Sequence, residues 1–147
     1  MAEQLAAYDY ELVFIDNDSK DKTQQKIEAL CKQNKKVKAI FNAKNFGPAN
    51  SPYYGVLQIT GDCVIPLVAD FQDPPELIPQ FIKEWEKGYK IVIGIKNRSK
   101  ENKLMYLLRG CYYRILKKIT DIEHIEQFTG FGLYDRAFIE VLRKIDD

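Results

Sequence analysis

Short runs of hydrophobic residues alternate along the chain with segments in which hydrophobic residues recur every three or four positions. The short runs, rich in β-branched and aromatic residues, predict buried strands, whereas the spaced pattern predicts amphipathic helices. Five strands are predicted, at residues 11–15, 37–41, 63–69, 90–95 and 130–134. Strands and helices are therefore expected to alternate along the chain.

Capping residues, prolines and glycines mark the predicted helix boundaries. Asp21 followed by Gln24 predicts a capping box at the start of the first helix. Asp73 before two prolines predicts the capped start of another helix, which Gly88 ends. After a turn at residues 45–48, a helix is predicted from Ser51-Pro52 to about Gly61. Two more helices are predicted, at residues 104–119 and at residues 136–145, the second with Asp135 as its cap.

The alternation of strands and helices determines the expected fold class. Strands joined by helices imply right-handed crossovers, so we expect an α/β fold with a mostly parallel sheet and helices on both faces. Ligands of such sheets bind beyond the carboxyl ends of the strands. Asp16 follows the first predicted strand and Asp70 follows the third. Both carboxylates are therefore expected at one edge of the sheet.

Composition limits the size and surroundings of this candidate site. The 147 residues, 46% hydrophobic and 29% charged, are typical of one globular domain, residues 1–147. Lys and Arg number 22 against 21 Asp and Glu, which argues against nucleic acid as a partner. No apolar run is long enough for a membrane helix, and three widely separated cysteines favour reduced thiols. We expect a soluble, cytoplasmic chain.

Acidic residues at the expected sheet edge suit a metal-bound diphosphate. Mg²⁺ takes few protein carboxylates and completes its shell with water and phosphate oxygens, so Asp70 could hold such a complex. Asp73 alone is more simply interpreted as a helix cap. Lys44 lies in a turn where a cation and backbone amides could meet phosphate, although a solvated turn fits equally well. Arg98 is another cationic candidate.

Four motifs of the chain resemble, in order and spacing, those of the family 2 glycosyltransferases. They are Ile15-Asp16-Asn17-Asp18-Ser19-Lys20-Asp21-Lys22-Thr23, Lys44-Asn45-Phe46-Gly47, Thr60-Gly61-Asp62 and Ala69-Asp70-Phe71-Gln72-Asp73-Pro74-Pro75-Glu76. The chain looks most similar to bacterial polyprenyl-phosphate (bactoprenol) glucosyltransferases, relatives of dolichol-phosphate mannosyltransferase. The resemblance, from about Tyr10 to the end of the chain, implies a GT-A fold, a UDP- or GDP-sugar donor and a divalent metal, Mg²⁺ or Mn²⁺.

The resemblance also implies roles for individual residues. Asp70 matches the last acid of the Asp-x-Asp signature and would be the catalytic residue that meets the metal or the diphosphate. Asp16 and Asn17 would face the base and ribose of the nucleotide, and Thr129 with Gly130 would begin the acceptor side. The other donor-binding positions that it implies are Lys44 at the phosphates, with Gln72 and Asp73 in the donor pocket. Arg98 is added to the donor-binding residues because of its place in the loop after the fourth predicted strand.

Two motif positions depart from the family pattern. Val68 stands where the first acid of the signature is often found, which leaves the metal to Asp70 and the donor's phosphates. After Thr129-Gly130 the family often has an acid, whereas this chain continues Phe131-Gly132-Leu133. A dedicated general base is then missing. A phosphate monoester is largely dianionic at neutral pH and needs no base, which favours a lipid phosphate as the nucleophile.

Both ends of the chain also differ from the family. The family's first strand, which lies inside the sheet, is lacking, so unpaired edges are expected beside residues 11–15 and 63–69. Pro66 cannot donate a hydrogen bond within the second of these strands. The chain also ends before the interfacial and membrane helices of such relatives. We therefore expect a truncated catalytic domain. Membrane association is expected through segments that this chain does not contain, and assembly into a homo-oligomer is possible.

The function expected from the resemblance is inverting transfer of a sugar from a nucleotide-sugar to a polyprenyl phosphate, for cell-envelope polysaccharide, at the cytoplasmic face of a bacterial inner membrane. One alternative is a soluble transferase that acts on polysaccharide hydroxyls. Another is a non-catalytic fragment that binds nucleotide-sugar. A phosphoacceptor receiver domain also clusters acids at a sheet edge, but the two prolines within residues 70–76 favour the transferase.

Overall fold

The computed structural model describes residues 7–70, 72–95 and 128–145. The chain divides into two compact units, Met1–Val92 with Gly132–Asp147, and Ile93–Phe131. The helix predicted at residues 104–119 and the candidate Arg98 lie outside the described residues.

The first unit begins with a β-α-β segment. β1 spans Leu12–Asp16, α1 spans Thr23–Gln33 and β2 spans Val37–Phe41. The two strands are parallel, in register from Leu12 opposite Val37 to Asp16 opposite Phe41. This pairing confirms the predicted parallel arrangement for these strands. It also brings the residues that follow β1 and β2 to the same edge of the sheet.

The start of α1 differs from the prediction. Lys22 occupies the N-cap position and makes no side-chain capping bond, whereas the Asp21 carboxylate accepts a hydrogen bond from the Thr23 N–H at 2.9 Å. The Gln24 amide donates to Asp16 Oδ2 at 2.7 Å. The predicted capping box is therefore wrong, because Gln24 bonds the carboxylate that ends β1 and does not return to the helix start.

α2 spans Gly47–Gln58 and begins four residues before the predicted start at Ser51. Pro48 lies in the first turn, where a missing N–H costs nothing, so this proline suits a helix start as well as Pro52 does. Pro52 consequently lies inside the helix. The predicted start is wrong because two prolines were equally compatible with the first turn.

Close packing of α2 on β1 depends on a glycine. A Cβ atom at Gly55 would lie 1.8 Å from Ile15 Cδ1 and 2.7 Å from Ile15 Cγ1. Both distances are far below van der Waals contact. Only a residue without a side chain therefore lets this helix approach the strand so closely.

β3 is confined to Cys63–Val64, although the apolar run predicted a strand over residues 63–69. Pro66 accounts for the difference, because it has no N–H to donate to a neighbouring strand and it restricts the residue before it. The other strands are β4 at Ile91–Ile95 and β5 at Phe128–Asp135. β3 pairs with β5 in antiparallel register, with Cys63 opposite Asp135.

The described strands form two sheets. One is the parallel pair β1-β2, and the other has the strand order β3-β5-β4. The α/β fold class with a parallel sheet is confirmed. The antiparallel pairing of β3 with β5 was not predicted, because alternating elements indicate crossovers between strands but do not identify which strands become neighbours.

The segment after β3 leads into an amphipathic helix. A 3₁₀ turn at Pro75–Leu77 precedes α3 at Ile78–Glu86, and Gly88, with φ of 102°, follows the end of the helix as predicted. Pro74 occupies the N-cap position of the turn, so the predicted cap by Asp73 is wrong. The physical reason is that Pro74 keeps an extended backbone, with φ of −76° and ψ of 113°, so the helical turn begins one residue later than a cap by Asp73 requires.

The last helix, α4, spans Arg136–Leu142. Asp135 caps it through a 2.8 Å hydrogen bond from the Ala137 N–H, which confirms the predicted cap, although the helix ends three residues before the predicted residue 145. Leu133 and Ile139 have no exposed surface and lie at the centre of the core of the first unit. No helix in the described parts of the chain combines the length and apolar character that a membrane crossing needs.

Candidate functional site

Asp16 is a buried carboxylate at the carboxyl end of β1, with 4% of its surface exposed. Its Oδ2 accepts hydrogen bonds from the Ser19 N–H at 3.1 Å and from Gln24 Nε2 at 2.7 Å. Burial by itself raises the pKa of Asp16, but the hydrogen bonds from Ser19 and Gln24 outweigh burial and hold the pKa below its usual value. The site therefore contains a fixed negative charge at neutral pH.

Asn17 connects the end of β1 to the turn before α2. Its Nδ2 donates to Asn45 Oδ1 at 2.9 Å and to the Gly47 carbonyl at 3.2 Å. Its Oδ1 accepts from the Phe46 N–H at 2.9 Å and from Asn42 Nδ2 at 3.1 Å. One side-chain amide therefore holds the turn at four points.

The turn carries its own internal bonds. Asn45 Oδ1 accepts from the Gly47 N–H at 2.8 Å, and Asn42 Nδ2 also donates to the hydroxyl of the buried Ser51 at 2.9 Å. The Asn42 N–H donates to the Asp16 carbonyl at 2.9 Å. The ends of β1 and β2, the turn and the first turns of α2 thus form one polar cluster.

Lys44 lies in the middle of this turn and is exposed. Its ammonium nitrogen lies 5.2 Å from the ring centroid of Phe46, close enough for a cation-π contact. The position leaves the charge at the surface of the polar cluster, where an anionic ligand could reach it.

A second group of predicted residues follows β3. Asp70 is exposed, and its Oδ1 accepts from the backbone N–H of Gln72 at 3.0 Å. The Gln72 side chain is exposed, whereas Asp73 is 5% exposed. Residues 70–73 therefore present one carboxylate to solvent and bury another nearby.

The single carboxylate of Asp70 fits a metal ion whose ligands come mostly from the donor and from water. A single exposed carboxylate suits a hard divalent cation whose other ligands are phosphate oxygens and water. Among residues 7–70, 72–95 and 128–145 there is no group of three His, Cys, Asp or Glu side chains that could hold a metal by themselves. Asp70 is therefore the position at which a metal-diphosphate could bind, and the structure gives it no pre-formed protein cage.

The structure brings Asp16, Asn17 and the turn that carries Lys44 into one cluster, through the bonds described above. Asp70 is bonded within its own loop, to Gln72. The approach of the two groups to a common ligand stays a prediction. On the acceptor side, Thr129 and Gly130 lie in β5, and Gly130 is exposed with φ of 89°, a conformation that favours glycine.

Sequence reasoning missed two contributors to the cluster, Asn42 and Gln24. Asn42 directly follows β2, just as Asp16 ends β1, and parallel strands end at the same edge of a sheet. This position was a signal that could have identified Asn42. Gln24 was interpreted as a capping residue, and nothing in its sequence position indicated a bond to Asp16.

An α/β chain whose parallel strands end in a cluster of carboxylate and amide side chains has this cluster at the place where α/β proteins bind their ligands, beyond the strand ends. Comparison with known sequences identifies the family. The model of glycosyl transferase family 2 matches residues 1–143. The chain belongs to this family.

Individual relatives support the same assignment. A bactoprenol glucosyl transferase of Shigella phage SfX is 32% identical over 146 residues, which are 99% of this chain and 48% of that protein. A prophage bactoprenol glucosyl transferase homolog of Escherichia coli (strain K12) is 32% identical over 142 residues, 96% of this chain and 46% of that protein. A Bacillus subtilis (strain 168) protein provisionally named as a glycosyltransferase, CsbB, is 34% identical over 140 residues, which are 95% of this chain and 43% of that protein. The chain spans somewhat less than half the length of these relatives.

Proposed function

We propose that this chain is the nucleotide-sugar-binding and catalytic part of a glycosyltransferase that moves a sugar to a polyprenyl phosphate. The observation that carries the proposal is the family match over residues 1–143, with relatives that are named bactoprenol glucosyl transferases. The polar cluster at the end of the parallel strands supports the same conclusion, since it brings the Asp16 carboxylate and the turn with the exposed cation Lys44 to one edge of the sheet.

On the donor side, Asp16 faces the nucleoside and Lys44 faces the phosphates. Gln72 and Asp73 shape the pocket behind Asp70, and Arg98 stays a predicted donor-binding cation. Asp70 would hold the divalent metal, Mg²⁺ or Mn²⁺, together with the donor diphosphate. When bound, the metal supplies positive charge that stabilises the departing diphosphate.

On the acceptor side, the reaction is a direct displacement. A phosphate oxygen of the acceptor forms the new bond at the anomeric carbon of the sugar. The bond to the nucleotide diphosphate breaks with its electron pair, and the configuration inverts.

The lack of an acid after Thr129-Gly130 fits a phosphate nucleophile. Phe131 is 4% exposed and Leu133 is fully buried, so the positions after Gly130 serve the core. A phosphate monoester is already deprotonated at neutral pH and can attack without a general base. Because a polyprenyl phosphate resides in a membrane, and the relatives are proteins of bacteria and a bacterial phage, the proposal includes a reaction at the cytoplasmic face of a bacterial inner membrane.

Calorimetric titration tests the donor site. We expect the chain to bind either UDP or GDP with an affinity that rises when Mn²⁺ is present. Asp70→Asn should weaken this metal-dependent binding by about tenfold or more, because it removes the charge that the metal meets. The matched control is Glu28→Gln, which removes an exposed carboxylate on α1 and should leave binding unchanged. Binding by the Asp70 variant equal to that of the parent chain would contradict the metal role.

Transfer assays then separate the acceptor classes. Sugar transfer from the preferred nucleotide-sugar is measured to a polyprenyl phosphate and to a polysaccharide that offers only hydroxyl groups. We expect transfer to the phosphate alone. Transfer only to the polysaccharide would support a soluble polysaccharide transferase, and nucleotide binding without any transfer would support a non-catalytic binding fragment. The absence of binding to both nucleotides would overturn the proposal.

A further inference from the structure

The hydrogen-bonding capacity of Asn17 is completely used within the protein. A side-chain amide has two N–H donors and one oxygen with two lone pairs, which makes four hydrogen bonds. All four are formed, at 2.9 to 3.2 Å, with residues of the segment 42–47. The amide therefore has no donor or acceptor left for a ligand.

The orientation of the Asn17 amide follows from its backbone partners. The Phe46 N–H can only donate, so the atom that faces it must be the oxygen. The Gly47 carbonyl can only accept, so the atom that faces it must be the nitrogen. Exchange of the two amide atoms would break both bonds, and the assignment is therefore determined by the main chain.

The segment that Asn17 holds contains the exposed cation of the site. Lys44 lies between Asn42 and Asn45, and both of these residues bond the Asn17 amide. The two residues after Asn45 also bond it and begin α2. Loss of Asn17 would therefore release Lys44 and the start of α2 from the end of β1 together.

We propose that Asn17 is a positioning residue, which fixes the turn 42–47 and thereby Lys44 for the donor's phosphates, and does not itself contact the nucleotide. This inference rests on the proposed function for the role of Lys44. It gives Asn17 a different role from the contact with base and ribose that the family resemblance implies. The side chain acts through the turn, and the ligand meets Lys44.

Amide hydrogen exchange in the ligand-free chain tests the positioning role directly. Asn17→Ala removes all four bonds and should speed exchange of the Phe46 N–H by about tenfold or more, because this donor loses its partner. Asn17→Asp keeps an acceptor for the Phe46 N–H but cannot donate to Asn45 Oδ1 or to the Gly47 carbonyl. It should therefore retain part of the protection of Phe46.

The matched control for the exchange experiment is Asn34→Ala. Asn34 lies after α1, and its Oδ1 accepts from the Lys36 N–H at 2.9 Å, so this variant also removes one bond from asparagine to the main chain. Exchange of Phe46 should stay unchanged in it. Unchanged exchange of Phe46 in Asn17→Ala would overturn the inference.

A double-variant cycle tests whether Asn17 acts through Lys44. UDP with Mn²⁺, or GDP with Mn²⁺ if the chain prefers it, is titrated into the parent chain, Asn17→Ala, Lys44→Ala and the double variant. We expect the two single variants to weaken binding by about tenfold, and the double variant to bind within about twofold of the weaker single variant. Losses that multiply in the double variant would mean that Asn17 contacts the ligand independently, and would overturn the inference.

The two experiments also separate this inference from the proposed function. If the parent chain binds neither nucleotide, the proposed function fails, and the exchange of Phe46 still decides whether Asn17 holds the turn. If the parent chain binds nucleotide but the cycle is multiplicative, the proposed function stands and the positioning role fails.

Discussion

Replacing Glu11 with glutamine tests how the segment after α2 is held against the parallel strands. Glu11 directly precedes β1, and its Oε1 accepts hydrogen bonds from the Thr60 N–H at 2.6 Å and the Thr60 hydroxyl at 2.9 Å. Its Oε2 pairs with the Lys38 ammonium on β2. One carboxylate thus joins three parts of the chain, and its charge strengthens each bond.

The size of the effect follows from the pKa of Glu11. Only 17% of its side chain is exposed, and burial by itself would raise the pKa. The bonds from Lys38 and Thr60 outweigh burial and lower the pKa from 4.5 to about 2. A shift of this size corresponds to at most ~3.5 kcal/mol. Because half of the Lys38 side chain is exposed, screening reduces the expected loss in Glu11→Gln to about 1–2 kcal/mol of unfolding free energy near neutral pH.

The pH dependence gives the sharper test. The folded-state pKa lies below the ordinary value, so the stabilisation by Glu11 is complete above pH 4.5 and is lost as the pH falls toward about 2. Glutamine has no such titration. The difference in unfolding free energy between the parent chain and Glu11→Gln should therefore shrink across this window, as measured by urea denaturation followed by circular dichroism.

Glu84→Gln is the matched control. Glu84 pairs with Lys87 on the surface of α3 at 2.7 Å, and its side chain is 44% exposed. An exposed ion pair of this kind contributes little to the stability of the fold, so the control should change the unfolding free energy by less than about 0.5 kcal/mol. A loss in Glu11→Gln that is as small as in the control, or that does not change with pH, would refute the reasoning.

Two further variants test the packing of the first unit. Gly55→Ala places a methyl group against Ile15 and should lower the unfolding free energy by about 1–3 kcal/mol. Adding Ile15→Val removes Cδ1 and should restore part of the lost stability. If urea denaturation shows no recovery in the double variant, the contact between residues 55 and 15 is contradicted. Trp85→Phe removes the 2.6 Å bond from the indole N–H to Asp135, the main cause of the lowered pKa of that buried carboxyl, and should cost about 1–3 kcal/mol near neutral pH. A loss that persists unchanged below the ordinary Asp pKa would show that packing, and not this bond, carries the effect of Trp85→Phe.

The candidate site depends on α2 being held at both ends. Asn17 fixes the turn before its first residue, as described above. At its other end, Arg136 donates to the carbonyls of Ile59 and Thr60 at 3.0 and 2.7 Å. These two residues directly follow α2, so the positive charge of Arg136 lies near the helix C-terminus, where the helix dipole favours it. The site thus lies at the start of a helix whose position is determined from both sides.

Local sequence patterns were sufficient for much of the fold. β1, β2 and β4 agree with their predicted bounds within one residue at each end. The Asp135 cap of α4 was also predicted correctly. These features depend on residues that are close in sequence, since a buried strand needs an apolar run and a cap needs an acceptor two or three residues before its donor. The order of the motifs likewise predicted the family, which the comparison confirms.

Where local patterns allowed more than one outcome, tertiary structure decided. The apolar run at residues 63–69 and the two prolines near the start of α2 each permitted several boundaries, and packing selected one. The same holds for the side chains of the site. Gln24 could cap α1 or bond Asp16, and the fold places the Asp16 carboxylate within 2.7 Å of its amide.

The amino-acid sequence by itself determined the family, the succession of strands and helices, and which residue types stand at the strand ends. Only the tertiary structure decided the partners of those residues. The four bonds of the Asn17 amide reach residues 25 to 30 positions later in the chain. The physical reason is that a side-chain amide bonds whichever groups the folded backbone brings within about 3 Å, and β1, β2 and α2 must pack together before those groups meet.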